Sequence, residues 1–152
     1  MAKRFKFRLE PMLALRRRQA DTAKRVVAQR LGRISQARRQ IDLLQEQIVQ
    51  QVQAMRSGPL VGPLDIGRIA RHRAWLAHLQ RGVFDGMARM RQLQTELVKE
   101  RAALAEASKR VKIIETLRDR QQQRYYKELD RLETIEADEM SIQRYVHDHA
   151  SE

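Results

Sequence analysis

Apolar residues recur every seven positions along two long segments of this chain, and a short break rich in glycine and proline separates the segments. A repeat of this kind forms the seam of a coiled coil, because it keeps one stripe of a helix facing a partner helix. In the first segment the repeat comprises Leu13, Ala20, Val27, Ile34, Ile41, Ile48 and Met55, with Ala23, Ala37 and Leu44 at a companion position. In the second it comprises Ile69, Leu76, Val83, Met90, Leu97, Leu104, Val111, Tyr125, Leu132 and Val146, with Leu79, Leu93, Ala107, Ile114, Ile135 and Ile142 as companions.

The composition of the 152 residues agrees with long helices. Aromatic residues make up 5% of the chain and charged residues 33%, and there are only six glycines and three prolines. These proportions are typical of extended helical proteins and not of a compact mixed fold. The chain has no cysteine, which excludes a disulfide framework, removes the commonest ligand of structural zinc and fits a reducing compartment.

No segment of the sequence resembles a signal peptide or a membrane span. The basic start of the chain leads to no apolar core, and the longest uninterrupted apolar stretch is four residues, as in Met12 to Leu15. A helix needs about 20 apolar residues to cross a bilayer. The sequence therefore predicts a soluble protein with no transmembrane segment, whose contact with a membrane would be peripheral.

The net charge of +12 is distributed unevenly along the chain. Residues 1–39 carry thirteen Lys and Arg against two acidic residues, whereas residues 125–152 carry three against eight. A uniformly basic coat would indicate nucleic acid as the partner. A basic N-terminal segment followed by an acidic C-terminal segment instead favours docking in one orientation, on protein surfaces that carry both positive and negative charge.

The break and its flanking residues predict two helices in a single domain. Helix one should run from about 9 to 56, with Pro11 in its first turn, where a missing amide hydrogen costs nothing. The turn should cover 57–65, because two prolines and two glycines within seven residues cannot continue a helix. Helix two should run from about 66 to 147, with Asp65 as its N-cap. The predicted fold is all-α, a long antiparallel two-helix coiled-coil hairpin whose second helix is the longer.

A symmetric turn would place residue i of helix one opposite roughly residue 122 minus i. Helix one would then cover helix two up to about residue 110, and the acidic stretch beyond Tyr125 would either protrude as a single helix or fold back. Gly82 and Gly86, inside helix two, each cost about 1 kcal/mol relative to alanine and indicate a weak point, a close contact or a bend. The seam also contains charged residues that should make it marginal alone and more stable when docked: Arg16, Arg30, Arg118 and Glu139.

No catalytic, metal-binding or cofactor-binding constellation is present in the sequence. His72 and His78 are six residues apart and point to different helix faces, unlike the i, i+4 pair that binds a metal. Carboxylates such as Glu133 and Glu136 would need a desolvated cleft to act as acid and base, and two helices provide none. The sequence therefore predicts a protein that is not an enzyme and has no cofactor.

The basic residues of helix one form either a solvated face or a docking surface for an anionic partner. Nucleic acid fits poorly as that partner, because few aromatics interleave with the arginines and no helix-turn-helix or zinc-finger spacing occurs. An acidic protein surface fits better. The candidate docking residues are Arg16, Arg17, Arg18, Lys24, Arg25 and Arg33.

A second candidate surface lies at the hairpin end next to the turn. Trp75 is the only tryptophan, and a tryptophan near such an end either packs in the core or anchors an interface. The hairpin would bring it close to aliphatic neighbours from both helices. The candidate residues of this second surface are Leu44, Gln47, Ile48, Trp75 and Leu79.

Both ends of the sequence resemble the flagellar export protein family FliJ. Residues 5–13 read Phe-Lys-Phe-Arg-Leu-Glu-Pro-Met-Leu, similar to the N-terminal signature of that family. Residues 112–117 read Lys-Ile-Ile-Glu-Thr-Leu and residues 137–140 read Ala-Asp-Glu-Met, similar to its C-terminal pattern. The resemblance covers nearly the whole chain except residues 57–68.

This resemblance implies a non-enzymatic component of the bacterial flagellar type III protein export apparatus, which serves flagellum biogenesis, motility and chemotaxis. Members of the family form an antiparallel coiled coil similar to the stalk of rotary ATPases, and act as stalk and chaperone. The implied partners are the hexameric flagellar export ATPase, the membrane export gate protein and export chaperones. The implied location is the cytoplasm, peripherally at the inner membrane of the flagellar basal body.

By analogy with the family, the end carrying both termini would enter the ATPase ring, and the end next to the turn would face the gate. The equivalent stalk of a virulence-type injectisome is an alternative. A basic nucleic-acid-binding helical protein would need a continuous positive stripe, which the acidic tail interrupts. A self-assembling structural coiled coil would need a stronger heptad seam, without the charged residues Arg16, Arg30 and Arg118.

Overall fold

A computed structural model of the chain describes residues 5–58, 63 and 65–149. It contains two helices, α1 (Glu10–Arg56) and α2 (Ile66–His149), and the described residues form no strand. The predicted fold class is confirmed, because the two helices pack as an antiparallel hairpin and the second is longer. Of the predicted turn, residues 59–62 and 64 lie outside the described residues.

The helix ends follow the local chemistry of the sequence. Pro11 occupies the first turn of α1, which begins one residue later than predicted. At the other end, the Ser57 amide and hydroxyl both donate to the Gln53 carbonyl at 3.0 Å, and the hydroxyl also reaches the Ala54 carbonyl at 3.4 Å, one of the last acceptors of the helix. The amide of Arg68 donates to the Asp65 carboxylate at 3.0 Å, so Asp65 is the N-cap of α2 as predicted.

The hairpin divides into two compact units, one formed by the chain up to Ala20 together with Glu106 onward, and the other by Asp21–Ala105. The core of the first unit consists of Phe7, Leu13 and Ile114. Leu13 is completely buried, and Phe5, Leu9 and Val111 pack around this core. The phenylalanines of the predicted family signature therefore close one end of the seam.

The second unit buries the heptad positions of both helices. Its buried residues are Val27, Ala37, Ile41, Leu79, Leu93 and Leu97. The two glycines of α2 mark a close approach of the helices: a methyl group at Gly82 would lie 3.2 Å from Leu44 Cδ1, and one at Gly86 would lie 2.9 Å from Ile41 Cγ1. Of the three interpretations of these glycines, a close contact is therefore the one observed.

The predicted register was wrong by about one helical turn. Ile41 lies against Gly86 and Leu44 against Gly82, so facing residue numbers add to 127 and 126 instead of 122. The connection between the helices is not symmetric. The first residues of α2, 66–71, extend beyond the end of α1 and are all exposed. The same offset lets the N-terminal segment cover α2 further than residue 110, since Leu13 contacts Ile114.

The end of α2 continues as a single helix with an uncovered apolar face. The ring of Phe5 lies 5.6 Å from that of Tyr125, and Leu129 is the last residue that is partly buried. Every described side chain from residue 130 to 147 is exposed. Of the two predicted alternatives, the protruding helix is therefore the one observed.

Candidate docking surfaces

The charged residue at the centre of the seam, Arg30, forms an ion-pair layer between the helices. Its guanidinium donates to both oxygens of the Glu100 carboxylate, from Nη2 to Oε1 at 2.7 Å and from Nε to Oε2 at 3.1 Å. A third contact joins it to Glu96 at 2.5 Å. The Arg30 and Glu100 side chains are only 17% and 18% exposed. Arg30, which the sequence analysis read as a charge that makes the seam marginal, is therefore paired with two carboxylates of α2.

The ion-pair layer shifts the titration of both partners. The hydrogen bond from Arg30, assisted by its charge, lowers the pKa of the Glu100 carboxyl against the opposing effect of partial burial. The same hydrogen bond raises the pKa of Arg30. A carboxyl with a lowered pKa stabilises the folded state above its unfolded pKa, and that contribution is lost as the pH falls through the folded pKa.

Replacing Arg30 by methionine should therefore change how stability depends on pH. At neutral pH we expect Arg30→Met to melt below the wild type, because Glu96 and Glu100 would be left unpaired beside each other. The difference should narrow on acidification, as Glu100 takes up a proton. Arg110→Met is the matched control, since Arg110 forms an exposed pair with Glu106 on its own helix. A difference in melting temperature between Arg30→Met and the wild type that stays the same from neutral to acid pH would contradict this account.

The three arginines predicted to dock near the N-terminus already have contacts within the chain. Arg17 is 2.6 Å from the Glu115 carboxylate across the two helices. Arg16 is partly buried and donates to the Gln19 side chain, and Arg18 also has a polar interaction. Arg17 therefore contributes to the packing of the two helices, and substitution of these three arginines would remove contacts within the chain as well as test docking.

The remaining basic candidates lie in the second unit, where Lys24 and Arg25 are freely presented, whereas the charge of Arg33 helps to lower the pKa of the Glu100 carboxyl. Lys24, Arg25 and Arg33 are exposed, and the ion pairs of the described residues include none of them. Arg33 also borders a groove whose opposite wall carries Arg89. The sequence analysis missed Arg89, because its position beside Arg33 depends on the register between the helices.

The residues predicted at the hairpin end separate into core and surface. Leu79 is 2% exposed and belongs to the core. Leu44 and Ile48 are partly buried, with Leu44 against Gly82, and Gln47 is exposed. Only part of the predicted cluster is thus available to another molecule.

Trp75 belongs to the surface. It is 46% exposed, and its ring stacks on His78 with 5.4 Å between the centroids. It borders a shallow depression together with Gln51, Arg68, Arg71 and His72, and His72 Nδ1 is 3.1 Å from the Gln51 side-chain oxygen. The tryptophan is therefore bordered by basic and polar groups from the first turns of α2 and by Gln51 of α1, and it is not part of the buried core.

The structure adds two observations about sites of other kinds. In the described part of the chain, no three histidine or carboxylate side chains come together in a group that could hold a metal ion. Within residues 5–58, 63 and 65–149, neither helix has an apolar stretch long enough to cross a membrane.

Comparison with known proteins gives one match. The sequence model of the family described as Flagellar FliJ protein matches residues 5–149. No curated protein and no solved structure matches the chain.

Proposed function

The chain belongs to the flagellar FliJ family, and from this membership we propose that it is the coiled-coil stalk and chaperone that links the hexameric export ATPase to the membrane export gate. The family match over residues 5–149 is the observation that carries the proposal, since it assigns the chain to flagellar export. It also favours a flagellar apparatus over an injectisome. Exposed charged and apolar side chains on each unit of the hairpin support a role in docking.

We assign the ATPase contact to the basic surface of α1. The unit that contains both termini would enter the ring, as in the family. Lys24 and Arg25, which belong to the second unit, are exposed basic residues of α1. Cations that have no partner within their own chain are the ones that complement an acidic protein surface at least cost, because no existing ion pair has to break.

We assign the gate contact to Trp75 and its neighbours in the unit that contains the turn. An exposed tryptophan offers a large apolar surface that can fill a pocket of a partner. The neighbouring Arg68 and Arg71 add positive charge at the same depression. Export chaperones would bind surfaces of the hairpin that these two contacts leave uncovered.

The ATPase contact can be tested with the variant Lys24→Glu/Arg25→Glu. We expect its dissociation constant for the purified ATPase hexamer to rise about tenfold or more at low ionic strength, because two attractive charges become repulsive. The difference should shrink at high salt, which screens exposed charges. Arg91→Glu/Lys99→Glu is the matched control, since it makes the same charge change at exposed positions of α2. Equal affinity of the two variants would place the ATPase contact elsewhere.

A further inference from the structure

We propose that the chain binds a second copy of itself, through contact between a basic strip on α2 of one copy and the acidic end of α2 of the other. This proposal goes beyond the stalk function and does not depend on it. The basic strip consists of Lys109, Lys112, Ile113, Thr116, Leu117 and Arg120. The acidic end is residues 128–147, where six acidic residues stand against two arginines.

The basic strip combines exposed apolar side chains with unpaired positive charge. Ile113 is 59% exposed and Leu117 is 39% exposed, and the two lie one turn apart on the same face of α2. Lys109, Lys112 and Arg120 surround them, and none of the three takes part in an ion pair of the described residues. Such a strip fits an amphipathic helix of opposite charge.

The acidic end of α2 has the complementary properties. Leu132 is 49% exposed and Ile135 is 41% exposed, and they continue the heptad seam beyond the point where α1 stops covering it. Glu136 and Glu139 flank them and likewise form no ion pair among the described residues. The apolar residues of this face therefore lack a partner and Glu136 and Glu139 lack a positive one, whereas Glu128 pairs with Arg131 on the same helix.

The spacing of the two surfaces matches when the helices run antiparallel. Setting Ile113 opposite Ile135 of the second copy brings Lys112 opposite Glu136 and Lys109 opposite Glu139. In the same alignment, Arg120 faces Glu128 and Thr116 faces Leu132. Three positive charges thus meet three negative ones around the contact of Ile113 with Ile135, while Leu117 faces Arg131, which pairs with Glu128 on its own helix at 3.3 Å.

One copy cannot form this contact with itself. Ile113 and Ile135 lie on the same unbroken helix, and 22 residues of helix separate them by about 33 Å. Pairing two acidic ends with each other is also unfavourable, because it would place carboxylates opposite carboxylates. The basic strip of a second copy is therefore the occupant that the charges favour. The self-contact would cover the acidic end of the chain.

Reciprocal charge reversal tests the proposal on the full chain. The strip variant is Lys109→Glu/Lys112→Glu/Arg120→Glu, and the end variant is Glu128→Lys/Glu136→Lys/Glu139→Lys. In sedimentation at low ionic strength we expect the wild type to self-associate and each variant alone to do so at least about tenfold more weakly, since each variant meets only like charges. An equimolar mixture of the two variants should associate again, because every surface then finds its opposite.

The matched control is Arg91→Glu/Lys99→Glu/Arg101→Glu, which has the same net charge as the strip variant but alters neither surface. It should associate like the wild type. The chain has no cysteine of its own, so mixing Ile113→Cys with Ile135→Cys should give a disulfide-linked pair, whereas Ile66→Cys with Ile135→Cys should not. A wild type that stays monomeric at low salt, or a mixture that associates no better than the separate variants, would overturn the proposal.

Discussion

Replacing Leu79 by alanine is expected to lower the free energy of unfolding by about 2–5 kcal/mol, the range observed when a buried leucine is truncated. Leu79 is 2% exposed and occupies a heptad position of α2, so its truncation would leave a cavity between the two helices. Denaturant unfolding followed by circular dichroism measures this change, because both helices lose their signal on unfolding. The matched control is Leu43→Ala, since Leu43 is 59% exposed on the outer face of α1 and should cost little.

Trp75→Ala should behave in the opposite way to Leu79→Ala. Its ring is about half exposed, so the loss of unfolding free energy should be small, whereas binding to the export gate should weaken by about 2 kcal/mol if the ring is an anchor. The two measurements are made on the same variant, well below its melting temperature. A large loss of unfolding free energy with unchanged gate affinity would mean that Trp75 contributes to packing and is not part of the proposed gate surface.

The contrast between these two residues shows what the heptad pattern can predict. Leu79 lies on the repeat and is buried, as are Leu13 and Ile114, because a seven-residue period fixes the face that an α-helix presents to its partner. Trp75 lies off the repeat, and its exposure follows from the same period. Pro11 in the first turn of α1 and Asp65 as the N-cap of α2 were predictable for a similar reason, since such positions depend only on residues within a few positions.

Features that depend on both helices at once could not be predicted in the same way. The partners of Arg30 follow from the register, and an assumed symmetric turn shifted that register by about one turn. A signal was nevertheless present, because Glu100 occupies the companion heptad position of α2, where an apolar residue is expected. Matching the polar positions of the two seams would have paired Arg30 with Glu100, and also Gln51 with His72.

Gly86→Leu is expected to lower the free energy of unfolding by about 2 kcal/mol. A methyl group at this position would already lie 2.9 Å from Ile41 Cγ1, and a β-branched isoleucine has few rotamers with which to move aside. Overpacking of this kind costs about 1–3 kcal/mol, with the larger values for bulkier additions. The better helix propensity of leucine offsets less than about 1 kcal/mol of this overpacking cost. The expected sign is therefore a loss, measurable by the same denaturant unfolding.

Gly32→Leu separates the steric effect from helix propensity, because it makes the same substitution where a side chain would meet nothing within 4 Å. That variant should gain up to about 1 kcal/mol, since leucine replaces the most flexible residue in a helix. Stabilisation of the same size at both glycines would mean that α1 and α2 do not approach each other at Gly86. The observed register, which depends on the contacts of Gly82 and Gly86 with α1, would then have to shift, and with it the pairing of Arg30 with Glu96 and Glu100.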